Sequence, residues 1–235
     1  TTISATRIGG NVVTGSGGGI FNNGVMAITN STLDHNQARS GGGIEHFGGN
    51  MSLTNVTVSG NNATDNGGGL YVLGSLSARY LTVAFNGAGG SGGNIYHDQA
   101  QATYSGVLVS DATAGGNCGR NGGQVSTTGN NLESTNTCSF TAGTDLVNQN
   151  PLLGPLQANG GATWTHALAV GSPAIDAVPL GINFCGMAVA ADQRGIVRPQ
   201  GARCDIGAFE GSFVPNASTP IHDIQGAGHI SPVDG

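Results

Sequence analysis

A repeat of about 25 residues constrains this chain more than any other feature. Four Gly-rich segments recur: Gly17-Gly18-Gly19-Ile20-Phe21, Gly41-Gly42-Gly43-Ile44-Glu45, Gly67-Gly68-Gly69-Leu70-Tyr71 and Gly92-Gly93-Asn94-Ile95-Tyr96. Between them runs a second series. Ile28-Thr29-Asn30-Ser31-Thr32-Leu33 aligns with Leu53-Thr54-Asn55-Val56-Thr57-Val58, and both align with Ile3 to Ile8, Ala78 to Val83 and Tyr104 to Val109. Each unit then turns on an asparagine: Asn11, Asn36, Asn61, Asn86. Apolar and polar residues alternate within each unit, the mark of strands with one buried face. A unit of this length is too short for a propeller blade (~40–45 residues) and lacks the dense leucines of a leucine-rich repeat. The expected fold is all-β, a right-handed parallel β-helix with one coil per repeat. Ile28, Leu33, Leu53, Val58 and Val83 would point inward, and the Thr and Ser between them outward. Equivalent residues would stack about 4.8 Å apart, making Asn11, Asn36, Asn61 and Asn86 a ladder that satisfies turn backbone.

Composition supports this and removes alternatives. Gly supplies 43 of 235 residues, and so much Gly with abundant Asn, Ser and Thr works against a helical bundle. All seven basic residues are Arg, and the net charge is -6. Nucleic-acid binding needs clustered Lys and Arg, so none is expected in this segment. No apolar run approaches the ~20 residues of a transmembrane helix. No metal or cofactor is expected either.

After about Asp111 the repeat fades. The coils are expected over 1–117, a disulfide-tied, irregular C-terminal cap over 118–211, and a linker with the stump of a following domain over 212–235. Four cysteines, Cys118, Cys138, Cys185 and Cys204, allow three connectivities. No C-x-x-C is present, which disfavours zinc. Disulfides imply an oxidising compartment, and sequential pairing, 118–138 and 185–204, is the most economical scheme.

Several C-terminal segments carry a resemblance: Asn150-Pro151-Leu152-Leu153-Gly154-Pro155-Leu156, Gly171-Ser172-Pro173-Ala174-Ile175-Asp176-Ala177, Asp192-Gln193-Arg194-Gly195, Arg198-Pro199, and Cys204-Asp205-Ile206-Gly207-Ala208-Phe209-Glu210. Over about 60 residues this series resembles the C-terminal part of the bacterial choice-of-anchor Q proteins. The resemblance implies a secreted or cell-surface β-helix and no particular enzymatic activity. Thr219-Pro220-Ile221-His222-Asp223-Ile224-Gln225-Gly226 resembles the opening of an OB-fold-like module of secreted bacterial nucleases, and the chain reads as a piece of a longer exported protein.

Candidate functional residues are few. Phe21, Glu45, Tyr71 and Tyr96 share one register, directed outward, and form a candidate ligand or partner face. Loops of the C-terminal block are expected to cover it. His46 and His97 share the next register two coils apart. With Glu45 they make a polar cluster, expected on a solvated face. Catalysis by a polysaccharide hydrolase needs two carboxylates about 5–9.5 Å apart, and the register supplies no such pair. The expected function is a non-catalytic extracellular structural or adhesive protein, self-associating through β-helix ends into a dimer or filament, with glycan contact on the aromatic face. The alternatives are a carbohydrate-active β-helix enzyme, or a scaffold for a downstream nuclease-like domain.

Overall fold

The structure, a computed structural model, describes residues 1–211. It is all-β apart from a three-residue 3-10 turn, Ile182–Phe184. Parallel coils of about 25 residues stack into a β-solenoid, with Ile28 beside Leu53 and Leu53 beside Ala78. Each coil feeds three sheets. The longest strands are Met26–Asp34, Asn50–Ser59 and Ser75–Ala84; a second sheet takes Ile20–Asn23, Ile44–Gly48, Leu70–Val72, Ile95–Asp98 and Cys118–Asn121; short strands at Gln37–Ala38, Asn62–Ala63 and Gly87–Ala88 make the third.

Ile28 and Leu33 lie five residues apart and are both fully buried. An unbroken strand would place them on opposite faces. Asn30 resolves the conflict with a φ of 51°, as do Asn55 at 53° and Tyr80 at 47°. Each drops out of the strand pairing, so the chain turns a corner and the alternation restarts. Asn accepts this left-handed backbone more readily than most residues.

The glycine triplets serve the opposite corner. Gly17, Gly41, Gly67 and Gly92 all have φ between 60° and 69°, where a side chain would strain the backbone. At the third position, a Cβ on Gly19, Gly43 or Gly69 would crowd the side-chain amide of Asn36, Asn61 or Asn86. The triplet therefore makes room for the asparagine ladder. Asn11 donates its backbone N–H and Nδ2 to Oδ1 of Asn36, at 3.1 and 2.8 Å. Asn36 repeats this on Asn61, and Asn61 on Asn86. Nδ2 of Asn61 also reaches the Leu33 and Ser59 carbonyls. The next turn position is Ala112, yet the column continues. Asn86 donates to Asn94, and Asn94 to Asn117. Asn94 occupies the third-glycine position of its own coil, so its side chain fills the place a turn asparagine would take.

The C-terminal half departs from expectation in three ways. Parallel pairing does not stop near 117: Cys118–Asn121 lies on Ile95–Asp98, Gln124–Thr127 on Gln101–Tyr104, and Leu146–Val147 on Leu132–Glu133. The coils therefore run to Val147, with polar residues where earlier coils have Ile and Val. The expected cap shrinks to the excursion around Cys138–Phe140, where Phe140 packs on Tyr104 and closes the core. Glu133 organises this excursion, accepting the N–H groups of Thr137 and Cys138. Both cysteine pairs are bonded as Cys118–Cys138 and Cys185–Cys204.

Beyond Val147 the chain leaves the coil stack and runs along its flank. A hairpin of Leu153–Gln157 and Thr165–Leu168 leads into an irregular strap to Gly211. The strap docks on the outer face of the long sheet. Thr32 donates to the Trp164 carbonyl, Thr57 to Gln193, and Thr82 accepts from the Ala208 N–H. The Thr residues expected to face solvent are thus buried beneath a second layer. Residues 212–235, which hold the nuclease-like resemblance, lie outside the described residues.

Candidate functional surfaces

The register places Phe21 beside Glu45, Glu45 beside Tyr71, and Tyr71 beside Tyr96. The strap lies on a different sheet, so the expected cover by the C-terminal block is absent. Phe21 is 54% exposed and stacks on Phe47, with ring centres 6.2 Å apart. Tyr71 and Tyr96 stack at 5.3 Å and are half-buried. The Tyr71 hydroxyl donates to Asp98 at 2.6 Å, and Asp98 also accepts from Asn121. Phe47, Asp98 and Asn121 were absent from the expected face. Phe47 and Asp98 each follow a row residue by two, a signal present in the alternation.

Glu45 does not project into solvent. It is buried, and its Oε2 has no hydrogen-bond partner. Burial pushes its carboxyl above the ordinary range, while the Ser16 hydroxyl and Arg39 pull it back. A protonated carboxyl here would keep a buried oxygen uncharged.

His46 and His97 overturn the solvated-face expectation. Each follows an outward residue by one, so alternation turns it into the core, and both are buried. His46 Nε2 lies 3.1 Å from the Ser75 carbonyl, which requires a proton on that nitrogen, so Nδ1 accepts from Asn22. His97 Nε2 meets the Tyr104 hydroxyl at 2.7 Å. Burial depresses both rings, His97 to about 4, so both are neutral at pH 7. Their environment is one of packing and internal hydrogen bonding.

The strap holds the charged residues of the C-terminal block. Arg198 and Glu210 are both fully buried and bonded at 2.7 Å, and Arg198 also donates to the Asp205 and Gly207 carbonyls. Its guanidinium lies over the Tyr80 ring, 4.2 Å from the centroid. Arg194 pairs with Asp192. Asp–Arg pairs were expected here, and the deeper of the two uses Glu210. His166 docks the hairpin by accepting or donating at Ser59, 2.8 Å away, and donates from Nδ1 to the Gly154 carbonyl.

No family model, curated protein or solved structure matches the chain.

At the other end of the stack, Thr2–Ser4, Arg7–Gly9 and Ile20–Asn23 pair on one side only. Ile3 and Ile8 lie half-buried at the core's mouth. Val12, Phe21 and Val25 are exposed around it. No helix among the described residues is long and apolar enough to cross a membrane.

Proposed function

We propose that this β-solenoid is a non-catalytic extracellular or cell-surface structural and adhesive element that associates through the face of its first coil. The asparagine column carries this reading. Six residues from Asn11 to Asn117 link successive coils through buried amides, an arrangement that stiffens a rod along its axis. The strap adds a second lateral tie across the coils. Two disulfides agree with an oxidising compartment, and the choice-of-anchor Q resemblance agrees with export. The first coil offers free strand edges and an apolar rim, the chemistry of strand addition. The exposed Phe21 and Phe47, with Tyr71 and Tyr96, add a surface suited to a partner or a glycan.

Light scattering and electron microscopy of the purified chain test this reading. Assemblies longer than one solenoid, dispersed by Ile3→Glu with Ile8→Glu, are expected. Monomers at every concentration overturn the association.

Glu45 favours a second reading, a carbohydrate-active enzyme, because a buried carboxyl with a raised affinity for its proton suits a general acid. Assays on pectin, alginate and other polysaccharides separate the two. Turnover abolished by Glu45→Gln overturns the structural reading.

A further inference from the structure

A cleft of about 420 Å³ lies where the strap crosses the corner of the second and third coils, within the range of small-ligand sites. One wall carries Thr29, Asn30, Thr54 and Asn55; the other is the run Ala188–Ala191. It lies on a different sheet from the aromatic row. Asn55 is 6% exposed, and its Oδ1 is a buried acceptor with no donor. The amide cannot turn over to correct this, because Nδ2 already donates to the Ala191 carbonyl at 2.8 Å and to Asn30 Oδ1 at 3.2 Å. A buried acceptor left without a donor is costly, so the site calls for an incoming O–H or N–H.

The rest of the lining narrows the class. Asp192 is the one ionisable lining residue, and both its oxygens are already engaged by Arg194 and the N–H groups of Ile196 and Glu210. No charge remains for an anion or a metal ion. Thr54 adds a hydroxyl able to donate or accept, and the small side chains of Ala188–Ala191 add an apolar wall. Donors and acceptors on one side with an apolar surface opposite match a sugar ring, whose hydroxyls lie at the rim and whose C–H groups form a face.

We infer that this cleft binds an uncharged saccharide, with a ligand hydroxyl donating to Asn55 Oδ1. The inference does not depend on the association proposed above.

The test is NMR titration of the intact chain with cellotriose, maltotriose, mannotriose and N-acetylchitotriose at millimolar concentrations. At least one saccharide should shift the signals of Thr54, Asn55 and Ala188–Ala191 saturably. Asn55→Ala should weaken that binding fivefold or more. Thr54→Val, which leaves the Asn55–Ala191 contact in place, should weaken it at least twofold, whereas Phe21→Ala and Tyr71→Ala should leave it unchanged. No saturable shift with any of the four, shifts confined to the aromatic row, or binding unaltered in Thr54→Val and Asn55→Ala would each overturn the inference. So would a crystal soaked in the trisaccharides that shows only water on Asn55 Oδ1.

Discussion

Replacing Asn61 by alanine probes the asparagine column where it is most buried. Oδ1 of Asn61 accepts from both the N–H and the Nδ2 of Asn36, and its own Nδ2 reaches the Leu33, Ser59 and Asn86 oxygens. The alanine removes every side-chain contact and keeps only the backbone bond to Asn86. The Asn36 N–H is then buried without this acceptor, at about 1–3 kcal/mol, and the other lost bonds cost roughly 0.5–1 kcal/mol each. The expected loss is about 3 kcal/mol, a substantial part of an ordinary domain's 5–15 kcal/mol. Asn11→Ala is the control. Asn11 is exposed and keeps its backbone bond to Asn36, so its loss should stay below about 1 kcal/mol. Urea unfolding followed by circular dichroism reads both, with an expected midpoint shift of roughly 1 M or more for Asn61→Ala. Trp164, the only tryptophan, lies under Arg7 at 3.5 Å and reports separately on the strap. Equal effects at the two positions, or a loss below about 1 kcal/mol at Asn61, would refute the idea that the column ties the coils together.

His97 has its folded pKa depressed from 6.5 to about 4, so the unfolded chain binds the proton first. Its contribution is intact above the unfolded pKa of about 6.5 and falls away as pH drops toward 4, by up to about 3 kcal/mol; a difference between wild type and His97→Gln that does not vary from pH 7.5 to 4.5 in urea unfolding would count against this. Arg198→Met should destabilise by about 3–5 kcal/mol because Glu210 is left charged and buried, whereas adding Glu210→Leu should recover much of that loss; thermal melts of the single and double variants decide it. Removing the Cys185–Cys204 bond with paired serines should cost roughly 3 kcal/mol in the loop-entropy model, raising hydrogen exchange in 178–206 while the coil signals hold. Thr57→Val removes the donor to Gln193 Oε1 and should expose the strap to limited proteolysis before the coils, an order that simultaneous cleavage would contradict.

Much of the coil was legible because its determinants are local. Glycine at positive φ, asparagine at the turn and alternation along the strand each act within a few residues, and their recurrence supplied the register. The same logic could have gone further. Reading alternation one residue past Phe21 and Glu45 places His46 and His97 in the core, since neighbouring residues face opposite ways. The parity conflict between Ile28 and Leu33 likewise marks Asn30 as a corner. The coil after Val109 was harder, because Arg120, Gln124 and Ser126 stand where Ile and Val signalled strands earlier. Pairing there follows the template of the preceding coil rather than a pattern of its own.

By itself, the sequence determined the solenoid: its repeat length, its inward residues, the column from Asn11 to Asn86 and the glycine corners. The tertiary structure alone decided which outer face becomes a second core. Alternation separates inside from outside but does not say whether the outside meets water. Thr32, Thr57 and Thr82 are polar and outward by local pattern, and they are buried because Trp164, Gln193 and Ala208 arrive from more than 120 residues away. The same crossing leaves Phe21 bare, buries Arg198 with Glu210, and closes the cleft over Asn55. These outcomes depend on where the strap docks, and docking depends on matching hydrogen-bond donors and acceptors across two layers that no short stretch of sequence contains.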